Sequence, residues 1–336
     1  MRLGPIHAGA LALALLLAGC DHPQSALAPS GDEADQLFSL LTLMLWVCGA
    51  VYLLVMGFLA AVLWRHRRVL SESAPDTTPD DRGLRVGLMG WTVLITVGLS
   101  VLAGASFFVD RSFAARTPAD AVQIRVTGHQ WWWRVEYRAP GGGWIETANE
   151  LHLPVDRPAE VTLAAGDVIH SFWLPTLSGK IDMIPGRTNR LRITPRKIGW
   201  VRGQCAEFCG LQHTQMALEA KVESQADFDA WLAAQAAPAA APAGGLAARG
   251  RQLFEGGTCA QCHAVRGSAA AGRAAPDLTH LASRRSIAAG ALPQTRGALM
   301  GWIAQPQAAK PGAQMPPSEL SPQDTLAVAA YLEGLK

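Results

Sequence analysis

Charge is scarce in this chain. Asp, Glu, Lys and Arg make up 17% of its 336 residues, and the formal net charge is only +2. No basic field results, which excludes nucleic acid as a partner. Two stretches, Leu37–Trp64 and Val86–Val109, hold no charged side chain. Cysteine is sparse as well, with six residues, and none of them needs to be a structural disulfide.

What the chain has instead is apolar surface. Hydrophobic residues reach 49%, a membrane-protein composition. Each uncharged stretch is long enough to cross ~30 Å of hydrocarbon at about 1.5 Å per residue. Both are apolar on every face and so predict spanning helices over about 37–64 and 86–109. Cys48, in the first, reads as a small packing residue. Between them lie Arg65, Arg67, Arg68, Arg82 and Arg85, which place that loop on the cytoplasmic side. Glu72, Asp76, Asp80 and Asp81 count little in that rule. Everything after Val109 is then expected outside.

Residues Met1–Gly19 read as an export leader: Arg2, then the short apolar run Ala8–Ala18. The leader ends in Leu17-Ala18-Gly19-Cys20, which resembles a bacterial lipoprotein cleavage box and implies lipid on Cys20. The competing reading is an ordinary leader followed by a free thiol. Asp21 resembles an inner-membrane retention signal.

From about Val122 to Ser224 the pattern shortens and alternates. Val122–Val126, Val161–Leu163, Arg190–Ile193 and Met216–Val222 predict strands, with Gly and Pro between them. Several short strands with frequent turns predict a small β-sandwich. Between the last two strands falls Cys205-Ala-Glu-Phe-Cys-Gly-Leu-Gln-His-Thr-Gln-Met216, with two thiols, an imidazole and a thioether within twelve residues. Soft sulfur plus imidazole suits copper in electron-transfer sites. Cys and His at short spacing also fit structural zinc, and this stretch alone leaves both open. His170, beside Phe172 and Trp173, is a candidate further ligand; alone, such a residue is more often packed than ligating.

Taken together, His170, Cys205, Glu207, Cys209, His213 and Met216 resemble the binuclear copper site of cytochrome c oxidase subunit II. Gly128-His-Gln-Trp-Trp-Trp133 through Glu136-Tyr137 resembles that family's aromatic segment, and Asp182-Met-Ile-Pro-Gly-Arg187 another of its signatures. The likeness covers about residues 35–230. It implies a cupredoxin-like copper domain with copper A, two ions sharing the sulfurs of Cys205 and Cys209. His170 and His213 would each cap one ion, with Met216 and the Glu207 carbonyl as weak axial ligands. It further implies that Trp131 receives electrons, against a packing role and against Trp132 and Trp133. The Glu207 side chain would bind magnesium at the boundary with oxidase subunit I, and Asp182 would lie near that boundary. His129 and His152 are expected to be hydrogen-bonded structural residues. One departure stands out: many members carry a Glu three residues before the Trp91-Thr92 pair for proton uptake, and here that position is Leu88.

Ala233–Gly245 is almost wholly Ala, Pro and Gly and predicts a flexible linker. A helical pattern resumes at Leu246–Phe254. Cys259-Ala-Gln-Cys-His263 is the c-type haem attachment pattern, with His263 placed to hold iron. A dithiol redox motif would need a βαβ setting, which is absent. Met315, in Pro311-Gly-Ala-Gln-Met-Pro-Pro317, resembles the axial methionine of small cytochromes c. Met300 competes but sits in an apolar stretch suited to packing. His280 is not expected to bind iron, and Leu320–Gly334 predicts a closing helix.

The expected chain is a multidomain membrane protein. It comprises a leader (1–19), an N-terminal segment with a two-helix transmembrane hairpin (20–112), a β-sandwich, cupredoxin-like copper domain (113–232), a linker (233–245) and an all-α cytochrome c domain (246–336). The resemblance implies subunit II of a caa-type oxidase in the bacterial inner membrane, its copper and haem domains on the outer, periplasmic side. Partners would be subunits I and III and a soluble or membrane-bound cytochrome c donor. Electrons would enter at one covalent haem c, pass to copper A and leave for subunit I, where O2 is reduced and protons are pumped. Neither predicted spanning helix holds a histidine for the oxygen-reducing centre, so this chain would be an input subunit. The alternative is the same role for a nitric oxide reductase. A quinol oxidase subunit would have lost the copper ligands, and a copper-binding protein without redox duty would not need the haem.

Overall fold

A computed structural model describes residues 22–69, 81–113 and 118–336. The leader, Cys20 and most of the loop between the two apolar helices lie outside the described residues. Helices α1 (Asp32–Val69) and α2 (Asp81–Phe113) form one unit of the fold. Both are long and apolar enough to cross a membrane. Both outrun their uncharged stretches, so Arg65, Arg67, Arg82 and Arg85 lie in helical ends, not in a loop. Long basic side chains reach polar surroundings from a helix terminus, so charge does not stop the helix there.

The second unit holds the chain up to Asp35, including the first turn of α1, and everything from Arg116 onward. Its first part contains β1 (Val122–His129), β2 (Trp132–Arg138), β3 (Trp144–Ala148), β4 (Glu150–Pro154), β5 (Ala159–Ala165), β6 (His170–Phe172), β7 (Ile181–Met183), β8 (Asn189–Ile193), β9 (Gly199–Gln204) and β10 (Ala217–Glu223). One sheet runs β3-β2-β1-β5-β8, another β4-β10-β9, and β6 pairs with β7. Sequence alternation sets the register. Ile124 and Val126 of β1 face Tyr137 and Val135 of β2 on one side and Val161 and Leu163 of β5 on the other. All six are buried, because a period of two sends alternate residues to the core. Trp133, Phe172, Leu218 and Val222 join them, as do Cys205, Cys209 and Met216. The predicted sandwich is therefore present, and the cysteine loop packs against its core.

Helix α3 (Gln225–Ala236) follows, capped by Ser224, whose Oγ accepts from the Asp227 amide. The sequence reading missed it and began a linker at Ala233. Alanine favours helix, and the helix continues until Ala237, the residue before Pro238, turns extended. Gln235 is buried and Ala239 N donates to Arg266 O, so the first part of the segment is anchored. The remainder is mainly helical, with α4 (Gly245–Gly256), α5 (Cys259–Cys262), α6 (Arg296–Ala304), α7 (Pro306–Ala309) and α8 (Pro322–Leu332), plus one short antiparallel pair of Ser286–Ile287 with Leu292–Pro293. Phe254 of α4 meets Tyr331 of α8 edge to face at 5.8 Å. Leu299, Val328 and Leu332 complete this second core, and Met300 packs against it, as expected of a filler.

Candidate metal and haem centres

Strand β9 ends at Gln204, and the chain turns at once into the Cys205–Met216 loop. Cys205 N donates to Met216 O (3.0 Å), which closes the loop on itself. Ala206 N donates to Ser171 O (3.0 Å), which ties it to the strand carrying His170. The side chains converge. Cys205 Sγ lies 3.8 Å from Cys209 Sγ, 3.9 Å from His170 Nδ1 and 3.3 Å from the Glu207 carbonyl oxygen. Cys209 Sγ lies 3.7 Å from His213 Nδ1 and 3.9 Å from Met216 Sδ. Each sulfur thus has its own imidazole, and all six predicted donors meet around one sulfur pair. His170, Cys205 and Cys209 alone would form a metal-binding group.

The two thiols titrate together. The hydrogen bond shared with Cys209, then that with His170, holds the Cys205 thiol far below its ordinary range. The Cys209 thiol is pushed up by the same contact. Burial lowers the His170 imidazole, but hydrogen bonds to Cys205 and Asp167 outweigh it and raise it. A thiolate poised beside imidazoles is ready to bind a soft metal, and thioether plus thiolate favours copper over zinc. The donor set fits copper.

Asp167 was not singled out from sequence. Its Oδ1 sits 2.8 Å from His170 Nε2, and its carboxylate also accepts from the backbone amides of Gln130 (2.6 Å) and Val168 (2.7 Å). It fixes the ring so that Nδ1 faces the sulfur. Gly128 admits the ring, since a side chain there would come within 2.9 Å of it.

The three consecutive tryptophans divide. Trp133 is buried edge to face against Phe172 (6.0 Å), and Trp132 stacks on His129 (4.8 Å). Trp131 donates Nε1–H to Cys209 O at 3.0 Å, joined by Gln130 Nε2 at 2.8 Å. Of the three, it reaches the cysteine loop. His129 departs from its expected role: its Nε2 is buried without a hydrogen-bond partner, and stacking holds the ring. His152 fits its role, lying between Glu223 (2.7 Å) and Glu150 (2.9 Å) and stacked on Trp231 at 3.9 Å. Asp182 is exposed on β7.

Burial lowers the His152 pKa, but the hydrogen bonds to both carboxylates overcome this and raise it. Burial raises Glu223, and the bonds to His152 and Lys221 overcome that and lower it. The raised His152 stabilises the fold fully below its ordinary 6.5 and loses that contribution as pH rises through its folded value. The lowered Glu223 contributes above its ordinary 4.5 and loses it as pH falls. Thermal melts of the full-length protein should therefore fall off as pH rises above 6.5, and His152→Gln should flatten that slope. An unchanged slope in the variant would assign the pH dependence elsewhere.

In the helical region Cys259 and Cys262 share the single turn α5. His263 Nδ1 lies 2.7 Å from the Pro276 carbonyl, which orients the ring and leaves Nε2 as the available ligand atom. Burial lowers the His263 pKa, keeping the imidazole neutral, as an iron ligand must be. Met315 lies in a loop fixed by Gln307, whose Nε2 donates to Met315 O (3.1 Å) and Ala313 O (2.7 Å). His280 Nε2 engages Ala237 O at 3.1 Å. Two thiols and an adjoining oriented imidazole fit a covalently attached haem.

The same loop lies against the copper-site region. Lys310 Nζ donates to Trp131 O (2.7 Å), and Gln212 Nε2 donates to Pro311 O (2.6 Å). Burial pushes the Lys310 amine down to about 7.

A cupredoxin-like domain with a buried sulfur–imidazole cluster, followed by a haem-attachment domain, defines a membrane-anchored electron-transfer protein. Residues 138–223 match the family described as cytochrome c oxidase subunit II, periplasmic domain, and residues 247–336 match cytochrome c. The chain is 34% identical to cytochrome c oxidase subunit 2 of Alkalihalophilus pseudofirmus over 96% of its own length and 95% of that protein's. It is 30% identical to the Bacillus subtilis protein of the same name, with the same coverage. A crystal structure of the periplasmic domain of subunit II from Bradyrhizobium japonicum aligns at 31% identity, covering 36% of this chain and 97% of that one, with a TM-score of 0.34. The chain belongs to the cytochrome c oxidase subunit II family, in the form with a fused cytochrome c domain, and is a subunit of a haem–copper oxidase.

Proposed function

We propose that this chain passes electrons from its haem domain through Trp131 to a dicopper A centre and on to subunit I, where O2 is reduced to water with proton translocation. The observation that carries this reading is the convergence of six donors on one sulfur pair, with Trp131 bonded to the carbonyl of Cys209. Copper bound at this sulfur pair would supply one-electron transfer. Cys205, Cys209, His170, His213, Met216 and the Glu207 carbonyl would hold the two copper ions. Asp167 holds the His170 ring in register. The buried packing of Cys205, Cys209 and Met216 keeps water out, which tunes the potential.

Cys259 and Cys262 would hold haem c covalently, with His263 and Met315 on its iron; such a pair gives a high-potential carrier. The Glu207 carboxylate and Asp182 would face subunit I, with magnesium bound by Glu207. Lipid on Cys20 would tether the N-terminus to a bacterial inner membrane, subunit III would complete the complex, and a cytochrome c would supply electrons. Leu88 removes a carboxylate from the family's proton-uptake position, so uptake would rely on subunit I.

Rapid mixing of the intact oxidase with a donor cytochrome c tests the order. Haem c should reduce first and copper second. Copper reduced at an unchanged rate when the haem is absent, in a Cys259→Ala, Cys262→Ala variant, would refute it.

A further inference from the structure

The loop that carries Met315 is attached to the copper domain by a buried amine as well as by the Gln212–Pro311 bond. Lys310 is 3% exposed, and its Nζ donates to Trp131 O at 2.7 Å and to Ala288 O at 3.0 Å. Both are backbone carbonyls, one from each domain. A lysine amine donates to two carbonyls whether or not it carries its extra proton. Two residues on, Gly312 adopts φ +85°, and a side chain there would lie 3.6 Å from the Trp131 ring and 3.3 Å from Leu211. The bare backbone thus sits on the tryptophan edge, and Trp131 is left only 9% exposed. The contact passes on to Met315 through short, directed bonds. Lys310 O accepts from Ala313 N (3.0 Å), and Gln307 bonds Gly312 N (2.8 Å), Ala313 O and Met315 O.

We infer that Lys310 is a positioning residue for electron delivery: its amine staples the Met315 loop to the backbone of Trp131 and fixes how closely that loop sits on the copper domain. This rests on the proposed route through Trp131. Methionine at 310 fills similar space but leaves the Trp131 and Ala288 carbonyls without a donor. Buried carbonyls draw in water when they lose a partner, so the loop shifts outward. The Gln212–Pro311 bond persists, as do the bonds from Ala217 N to Ala289 O (3.0 Å) and from Arg285 N to Glu150 Oε2 (3.0 Å), so the domains stay joined while the Met315 loop loosens against Trp131. Electron transfer falls steeply with spacing.

The test uses the intact oxidase with Lys310→Met and Lys310→Gln. Haem-to-copper transfer is followed by rapid reduction, and backbone hydrogen exchange of residues 310–315 is followed by mass spectrometry. The Met variant should transfer about tenfold more slowly, because both carbonyls lose their shared donor and the loop loosens. Its loop should also exchange faster, with copper content, haem content and the methionine–iron absorption band unchanged. The Gln variant keeps N–H donors and should recover part of both losses. Wild-type transfer in the Met variant overturns the inference, as does slowed transfer with unchanged exchange. Copper that takes no electrons from haem in the wild type would refute the route instead, and exchange would still report on the staple.

Discussion

Cys205→Ser should abolish the mixed-valence copper signal while haem absorbance persists. Cys205 Sγ contacts the other sulfur, the His170 imidazole and the Glu207 carbonyl, so a single change removes the hub of the cluster. Serine is near in size, so the fold survives, but its hydroxyl stays protonated and is a hard donor. The loss should exceed the about 10–100-fold in metal affinity typical of mutating a group one bond behind a ligand. Asp167→Asn supplies that milder comparison through His170. Cys48→Ser, in α1, should leave both cofactors intact. Electron paramagnetic resonance and metal analysis on the same samples check all three, and a surviving signal in the Cys205 variant would disprove the ligand assignment.

Trp131→Phe should slow haem-to-copper transfer on the order of tenfold or more, with both cofactors retained. The barrier arithmetic is modest: a factor of ten is about 1.4 kcal/mol, close to the net worth of one hydrogen bond. Phenylalanine loses the Nε1–H bond to Cys209 O and withdraws ring area from the Gly312 backbone. Trp132→Phe shrinks a ring that stacks on His129 and lies under Arg134, away from the cysteine loop, and should leave the rate unchanged. Equal slowing by both variants would remove the special role of Trp131.

The candidate copper and haem ligands are legible in the sequence because most of them are local. Twelve residues carry Cys205, Glu207, Cys209, His213 and Met216, and five carry the haem attachment. His170 lies 35 residues from Cys205, and only the resemblance drew it in. Period-two alternation likewise exposed the strands around Val126, Leu163 and Val222, though not their order in the sheets. What escaped is long-range or weakly patterned. Lys310 lies 179 residues from Trp131, and nothing in Ala308-Ala-Lys310 marks it as buried. Asp167 sits in a turn where a carboxylate is ordinary. Helix α3 ends in an alanine-rich run that composition assigns to a linker, and only the burial of Phe228 and Gln235 shows it packed.

Metal analysis with electron paramagnetic resonance on the full-length protein tests the central claim most directly. The account predicts two coppers per chain sharing one unpaired electron, beside one covalent haem. Zinc in the cysteine loop, or a lone copper whose spectrum shows no sharing, would contradict it.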